Sequence, residues 1–165
     1  MYEPSDAVST EAQLRAIHPE SYASQTGKVI DHIDPLCRIW IERSPFVSIA
    51  TVYAAGHVDV APKWDPAGFV KVLDQRTLAI PDRPGNNRFD TFINIFEIGR
   101  IGLCFVIPKR TEVVRVNGAA RVVRDAAVME TMVINGRMPP LAILVRVEEA
   151  FYHCGKAMIH SGMWK

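Results

Sequence analysis

From Phe46 onward the chain reads as one strand after another, with tight turns between them and little room for helices. Phe46 to Tyr53 is β-branched and apolar, Ala54-Ala55-Gly56-His57 is a hairpin turn, and Val58 to Ala61 returns. Gly68 to Leu73 follows, and Asp74-Gln75-Arg76 turns into Thr77 to Ile80. Arg100 to Ile107 is almost continuously apolar, which predicts burial on both faces. Glu112 to Val116 and Ala119 to Val123 flank Asn117-Gly118, the strongest short-range signal for a hairpin, and Leu141 to Tyr152 is a long strand. Strands that succeed one another through short turns do not build βαβ units. The pattern therefore predicts a mainly β (α+β) fold, a mostly antiparallel barrel with peripheral helices.

The helices predicted outside this series are few. Thr10 caps a short one over Glu11 to Ile17, and Asp34-Pro35 starts another with an apolar face of Leu36, Ile39 and Trp40. Phe89, Phe92, Ile93 and Phe96 recur at helical spacing. Asp125 caps a helix over Ala126 to Ile134 that ends at Asn135-Gly136, and the tail from Cys154 to Trp164 is helical or irregular. The expected organisation is one domain: a helical segment, residues 1–45, packing on a barrel formed by residues 46–165.

Bulk properties narrow the partners. The 165 residues carry a formal net charge of +1 with no basic stripe, which argues against nucleic acid. No apolar run reaches the roughly 18 residues that a membrane helix needs. The N-terminus is polar and acidic, unlike a signal peptide, and Cys37, Cys104 and Cys154 form no C-x-x-C pair. A reducing cytoplasm is the expected location.

The densest polar motif is Pro81-Asp82-Arg83-Pro84-Gly85-Asn86-Asn87-Arg88, between the strand ending at Ile80 and the helix marked by the phenylalanines. Two arginines, a glycine and two amides thus stand where free backbone N–H groups and the helix dipole favour an anion, and a phosphate suits that chemistry. A solvated polar turn is the competing reading. A second polar cluster, Asp59-Val60-Ala61-Pro62-Lys63-Trp64-Asp65-Pro66, sets a cation and a flat aromatic at a strand end, fit for a planar ligand or for nothing more than an exposed loop.

Other chemistries find no motif. His18, His32, His57, His153 and His160 have no zinc spacing, so no metal site is expected. There is no G-x-S-x-G elbow, no P-loop and no G-x-G-x-x-G. Cys104 lies in an apolar strand as a small core residue, and Cys154 beside His153 is a structural rather than a reactive thiol. No catalytic acid or base stands out.

Together, Asp59 to Lys63, Gly68 to Asp74, Pro81 to Arg88 and Arg115-Val116-Asn117-Gly118-Ala119-Ala120, with His153-Cys154-Gly155-Lys156-Ala157 and Trp164, resemble the FMN-binding split-barrel family of pyridoxamine 5′-phosphate oxidase. The Arg-Pro-Gly-Asn-Asn-Arg string resembles a bacterial subgroup of oxidase-related FMN-dependent proteins. The resemblance implies a split β-barrel, FMN as cofactor, and a homodimer with FMN at the subunit interface. It implies that Arg88, Asn87 and Asn86 hold the phosphate with Arg83 as a second cation. It places Lys63 and Lys71 beside the flavin ring, and brings Lys156 and Trp164 to it from the other subunit. The Ser-Arg-Lys phosphate string of true pyridoxamine phosphate oxidases is Asn-Asn-Arg here, and their C-terminal arginine motif has no match in Met158 to Lys165, which argues against turnover of a vitamin B6 phosphate. The expected function is an FMN-dependent oxidoreductase passing hydride through flavin to a small molecule. The alternative is a non-catalytic flavin- or haem-binding barrel, with His153 or His160 as axial ligand in the haem case.

Overall fold

A computed structural model describes residues 2–18, 20 and 22–164. Seven strands form one antiparallel sheet: β1 (Phe46–Val52), β2 (Val58–Trp64), β3 (Lys71–Asp74), β4 (Thr77–Pro81), β5 (Arg100–Val106), β6 (Val113–Val123) and β7 (Ala142–His153). Their order across the sheet is β2-β1-β5-β6-β7-β4-β3, so β2 and β3, neighbours in the chain, occupy opposite edges. Laid flat, six gaps of about 4.8 Å would hold those edges about 29 Å apart. The link 65–70 reaches at most about 25 Å even when fully stretched. The sheet therefore curls until its two edge strands face each other, with no β2–β3 strand pairing across the seam. This is the split barrel that the resemblance implies.

Alternation fills the interior. Val47 and Ile49 of β1, Leu103 and Phe105 of β5, Val114 and Val116 of β6, and Val145 and Val147 of β7 all point inward and are buried. Helix α3 (Pro35–Arg43) contributes Cys37 and Ile41 to the same core, with Ile33 just before it. Asp34 caps α3 by accepting from the Cys37 N–H at 2.6 Å, with Pro35 in the first turn, as the sequence predicts. Helix α4 (Asp90–Glu97) buries Phe92 and Ile95 and is pinned to β1 by Asn94, whose Nδ2 donates to Thr51 Oγ1 at 2.8 Å. Near the N-terminus lie α1 (Glu11–Ile17), closed by a Thr10/Gln13 capping box and burying no residue, and the single turn α2 (Ala23–Thr26).

Two expectations fail instructively. Asn117-Gly118 is not a hairpin turn: β6 runs unbroken from Val113 to Val123, and its register against β7 shifts at Asn117/Gly118. Glycine is required there because a Cβ would overlap the Arg146 carbonyl oxygen of β7. The residue serves a bulge and a close backbone approach rather than a turn. The helix expected to reach Ile134 stops early, as α5 (Ala126–Glu130). Beyond it Asn135 and Gly136, at φ 50° and 71°, make a two-residue turn closed by reciprocal hydrogen bonds between Ile134 and Arg137 at 3.1 and 2.9 Å. The two Asn-Gly pairs exchange roles: the one read as a hairpin is a bulge, and the one read as a helix stop is the tight turn.

The outer face of the edge strand β2 is apolar and uncovered, with Val58, Val60 and Trp64 exposed at 67, 62 and 79 %. The tail forms α6 (Lys156–Ser161) after β7.

Candidate functional site

The seam of the barrel carries a cavity of about 690 Å³. One wall is β2, with Asp59, Ala61 and Lys63; the other is the loop from Asp82 to Phe89 that leaves β4, continued by the first turn of α4. Five of the residues expected to bind a cofactor meet here: Lys63, Arg83, Asn86, Asn87 and Arg88.

The loop is shaped by its own side chains. Asn86 Oδ1 accepts from the Arg88 N–H at 3.1 Å, and both Asn87 (φ 58°) and Phe89 (φ 59°) adopt left-handed backbone. Asparagine tolerates that conformation, whereas a bulky residue there carries strain of about 1–3 kcal/mol, the kind that collects at ligand-binding loops. Phe89, expected to be the first helical residue, is instead the left-handed N-cap of α4 and gives no side-chain cap. The first-turn amides at Asp90, Thr91 and Phe92 are thereby left without a capping side chain beside the cavity. Gly85 has no positive φ, and a Cβ there would meet nothing nearer than the Arg83 carbonyl oxygen at 3.8 Å. Neither backbone nor packing asks for glycine at this position.

The arginines differ. Arg83 Nε donates to Asp65 Oδ2 at 2.6 Å and its Nη2 to the Met132 carbonyl at 2.9 Å. Its side chain is only 23 % exposed and that of Asp65 13 %. The guanidinium expected to grip an anion is thus engaged by its own fold, clasping the β2–β3 link, the β4–α4 loop and the segment after α5 across the seam. Arg88 pairs with Asp90 at 2.7 Å, but its side chain is 72 % exposed, and such a pair is worth at most about 1 kcal/mol.

Lys71 does not reach the main cavity; it lines a smaller one of about 100 Å³ with Asp65, Phe69 and Met132, and Arg83 is the partition between the two. Lys156 opens α6, and Trp164 donates from Nε1 to the Arg110 carbonyl at 2.7 Å; neither lines the cavity within this chain. Sequence reasoning missed Asp82, Asp59 and Asp65. Asp82 stood inside the quoted motif, but nothing local signals that its carboxyl faces the cavity. Burial pushes that carboxyl above its ordinary value, against the pull of Lys63 and Arg83. Among the described residues no cluster of His, Cys, Asp and Glu is placed to hold a metal ion, and no helix is long and apolar enough to cross a membrane.

Comparison with known proteins places this geometry. The family model described as pyridoxamine 5′-phosphate oxidase matches residues 33–154, well over half of the chain. A search of curated proteins finds no match. Among solved structures, HupZ of Group A Streptococcus is 26 % identical, with a TM-score of 0.59 over 73 % of this chain and 93 % of its own. An FMN-binding protein from Syntrophomonas wolfei is 13 % identical with a TM-score of 0.54, covering 70 and 82 % of the two chains. HutZ, the heme storage protein of Vibrio cholerae, is 12 % identical with a TM-score of 0.52, covering 74 and 94 %. At such identities the last two are alike in fold alone.

Proposed function

Because the chain belongs to the pyridoxamine 5′-phosphate oxidase family, we propose that its seam cavity binds FMN and that the protein is an FMN-dependent oxidoreductase acting on a small molecule. The observation that carries this reading is the convergence of Lys63, Asn86, Asn87 and Arg88 with the uncapped first turn of α4 on one cavity. That donor set fits a phosphate monoester. Arg88 exchanges an exposed carboxylate for the phosphate, and a charge-assisted bond of about 1.5–3 kcal/mol outweighs the pair it replaces. Arg83 enters as the anchor of the loop, fixing where Arg88 and the amides stand. Lys63, on the opposite wall, faces the ring and supports negative charge on it; Lys71, behind the Arg83 partition, acts on the ring only at a distance. When bound, FMN supplies hydride and single-electron chemistry.

A homodimer belongs to the same reading. The bare apolar face of Val58, Val60 and Trp64 adjoins the cavity wall, and a second copy laid on it would shield that face and bring Lys156 and Trp164 to the cavity it borders. The haem alternative requires an axial ligand. The cavity lining of this chain holds neither histidine nor cysteine, so in the haem reading His153 or His160 would have to reach it from the second copy.

The test is the absorption spectrum of the purified protein, with mass spectrometry of the small molecule released on denaturation. A two-band flavin spectrum and FMN are expected. A Soret band would transfer the site to haem; colourless protein that FMN does not stabilise against heat would overturn the proposal, since a ligand at a hundred times its Kd adds about 2.7 kcal/mol. Catalysis additionally requires that a substrate reoxidise the reduced protein faster than oxygen does.

A further inference from the structure

The charges around the seam cavity cancel. Three cations line it, Lys63, Arg83 and Arg88, against three carboxylates, Asp59, Asp82 and Asp90. Of these, Arg88 is paired with Asp90, while Arg83 is paired with a further carboxylate, Asp65, behind the lining. An arriving anion meets a lining with no surplus of positive charge. Asp82 differs from the paired carboxylates Asp65 and Asp90. Its backbone N–H donates to the Leu141 carbonyl at 2.9 Å, which holds the residue in the wall, and no ion pair among the described residues includes it. Lys63, across the cavity on β2, is also outside any such pair.

We propose that an anion entering this cavity brings a proton onto Asp82, so that binding of a phosphate-bearing ligand is coupled to proton uptake by this carboxyl. The balance is simple: the carboxylate takes one proton from solvent, the lining gains one unit of positive charge, and the anion offsets it. Facing Asp82 are Asp59 and Lys63 from β2, Arg83 and Arg88 from its own loop and Asp90 from α4; Pro140, from the segment before β7, brings no charge. Burial already favours the neutral acid. The removal of one negative charge beside a bound anion is the gain. The coupling deepens the flavin reading and depends on it only for the identity of the anion.

Calorimetric titration of the full chain with FMN, in two buffers of different ionisation enthalpy between about pH 5 and pH 8, measures the proton count directly. Because the FMN phosphate itself titrates in this range, the reading is the difference between proteins: wild type is expected to take up more protons than Asp82→Asn, by a difference approaching one. Asp82→Asn, an isosteric change, is expected to bind FMN about tenfold tighter near neutral pH and to lose the uptake. Asp59→Asn is expected to keep it. The titration of the phosphate itself is common to all three proteins and cancels. Equal uptake by wild type and Asp82→Asn would sink the coupling while leaving flavin binding intact. If FMN binds neither, sulfate serves as the probe, since its charge does not change over this range. A rise in Tm on adding sulfate that is larger at the acidic end for wild type, and independent of pH for Asp82→Asn, keeps the coupling and discards flavin. An equal rise in both, or none, overturns it.

Discussion

Two arginines five positions apart in one loop do different work. Arg83 is sheltered and tied to both Asp65 and the Met132 carbonyl, so Arg83→Met leaves Asp65 in a pocket without its counter-charge. A loss of about 2–3 kcal/mol is expected in urea unfolding, toward the lower end for a buried pair that loses one member. Arg88→Met is expected to change stability by less than about 1 kcal/mol and to weaken FMN about thirtyfold in a fluorescence titration. If the two variants behaved alike, the division of labour would be wrong. The loop itself was legible in the sequence because its signals are local: glycine, amides and arginines at a strand-to-helix junction. The partners were not. Asp65 lies 18 positions before Arg83 and Met132 lies 49 after it, distances over which no spacing rule operates. Lys71 is tied to the site in the sequence by the resemblance alone, and the fold puts it on a second cavity that shares Arg83 with the first.

Elements were read well where period and cap agree, as at Thr10 and Asp34 and at the start, though not the end, of the helix that Asp125 caps, and badly where one dipeptide has two uses. Asn-Gly satisfies a tight turn through positive φ, and it equally satisfies a bulge where another backbone crowds in. Only pairing between β6 and β7, remote in the chain, decides which. Gly118→Ala is accordingly expected to cost more than about 3 kcal/mol by driving a methyl group into the backbone of β7. Gly136→Ala meets nothing within 4 Å and costs only the strain of its φ of 71°, about 1 kcal/mol. Denaturant midpoints of the two variants would separate them. The contact of α3 with β7 has its own signature. Burial, reinforced by Asp34, pushes the Cys37 thiol from 9.0 up to about 12, and burial with the nearby charges of Cys37 and Asp34 pushes Tyr152 from 10.0 up to about 12. Both values are raised, so the folded chain keeps protons that the unfolded chain releases first. The stability they confer is complete below about pH 9 and drains away as pH rises toward about 12, which urea unfolding at stepped alkaline pH would register as a falling midpoint.

At the scale of the molecule, the run of strands announced a barrel, but their order did not. The strand after the anion-loop helix inserts beside β1, and β4 finds β7 across more than sixty residues of chain, so the seam and the cavity within it emerge only from the assembled sheet. The exposed outer face of β2 belongs to this scale as well. Trp64→Glu is expected to convert a dimer to a monomer in analytical ultracentrifugation while leaving the barrel folded; an unchanged sedimentation coefficient would exclude β2 as the contact.

The short tether between β2 and β3 has one more effect. It joins the two edge strands directly, and Phe69 and Val70 near its far end anchor it in the core. Lengthening it between Asp65 and Gly68 would slacken the gap as a loosened lace widens a shoe, with the interior beneath untouched.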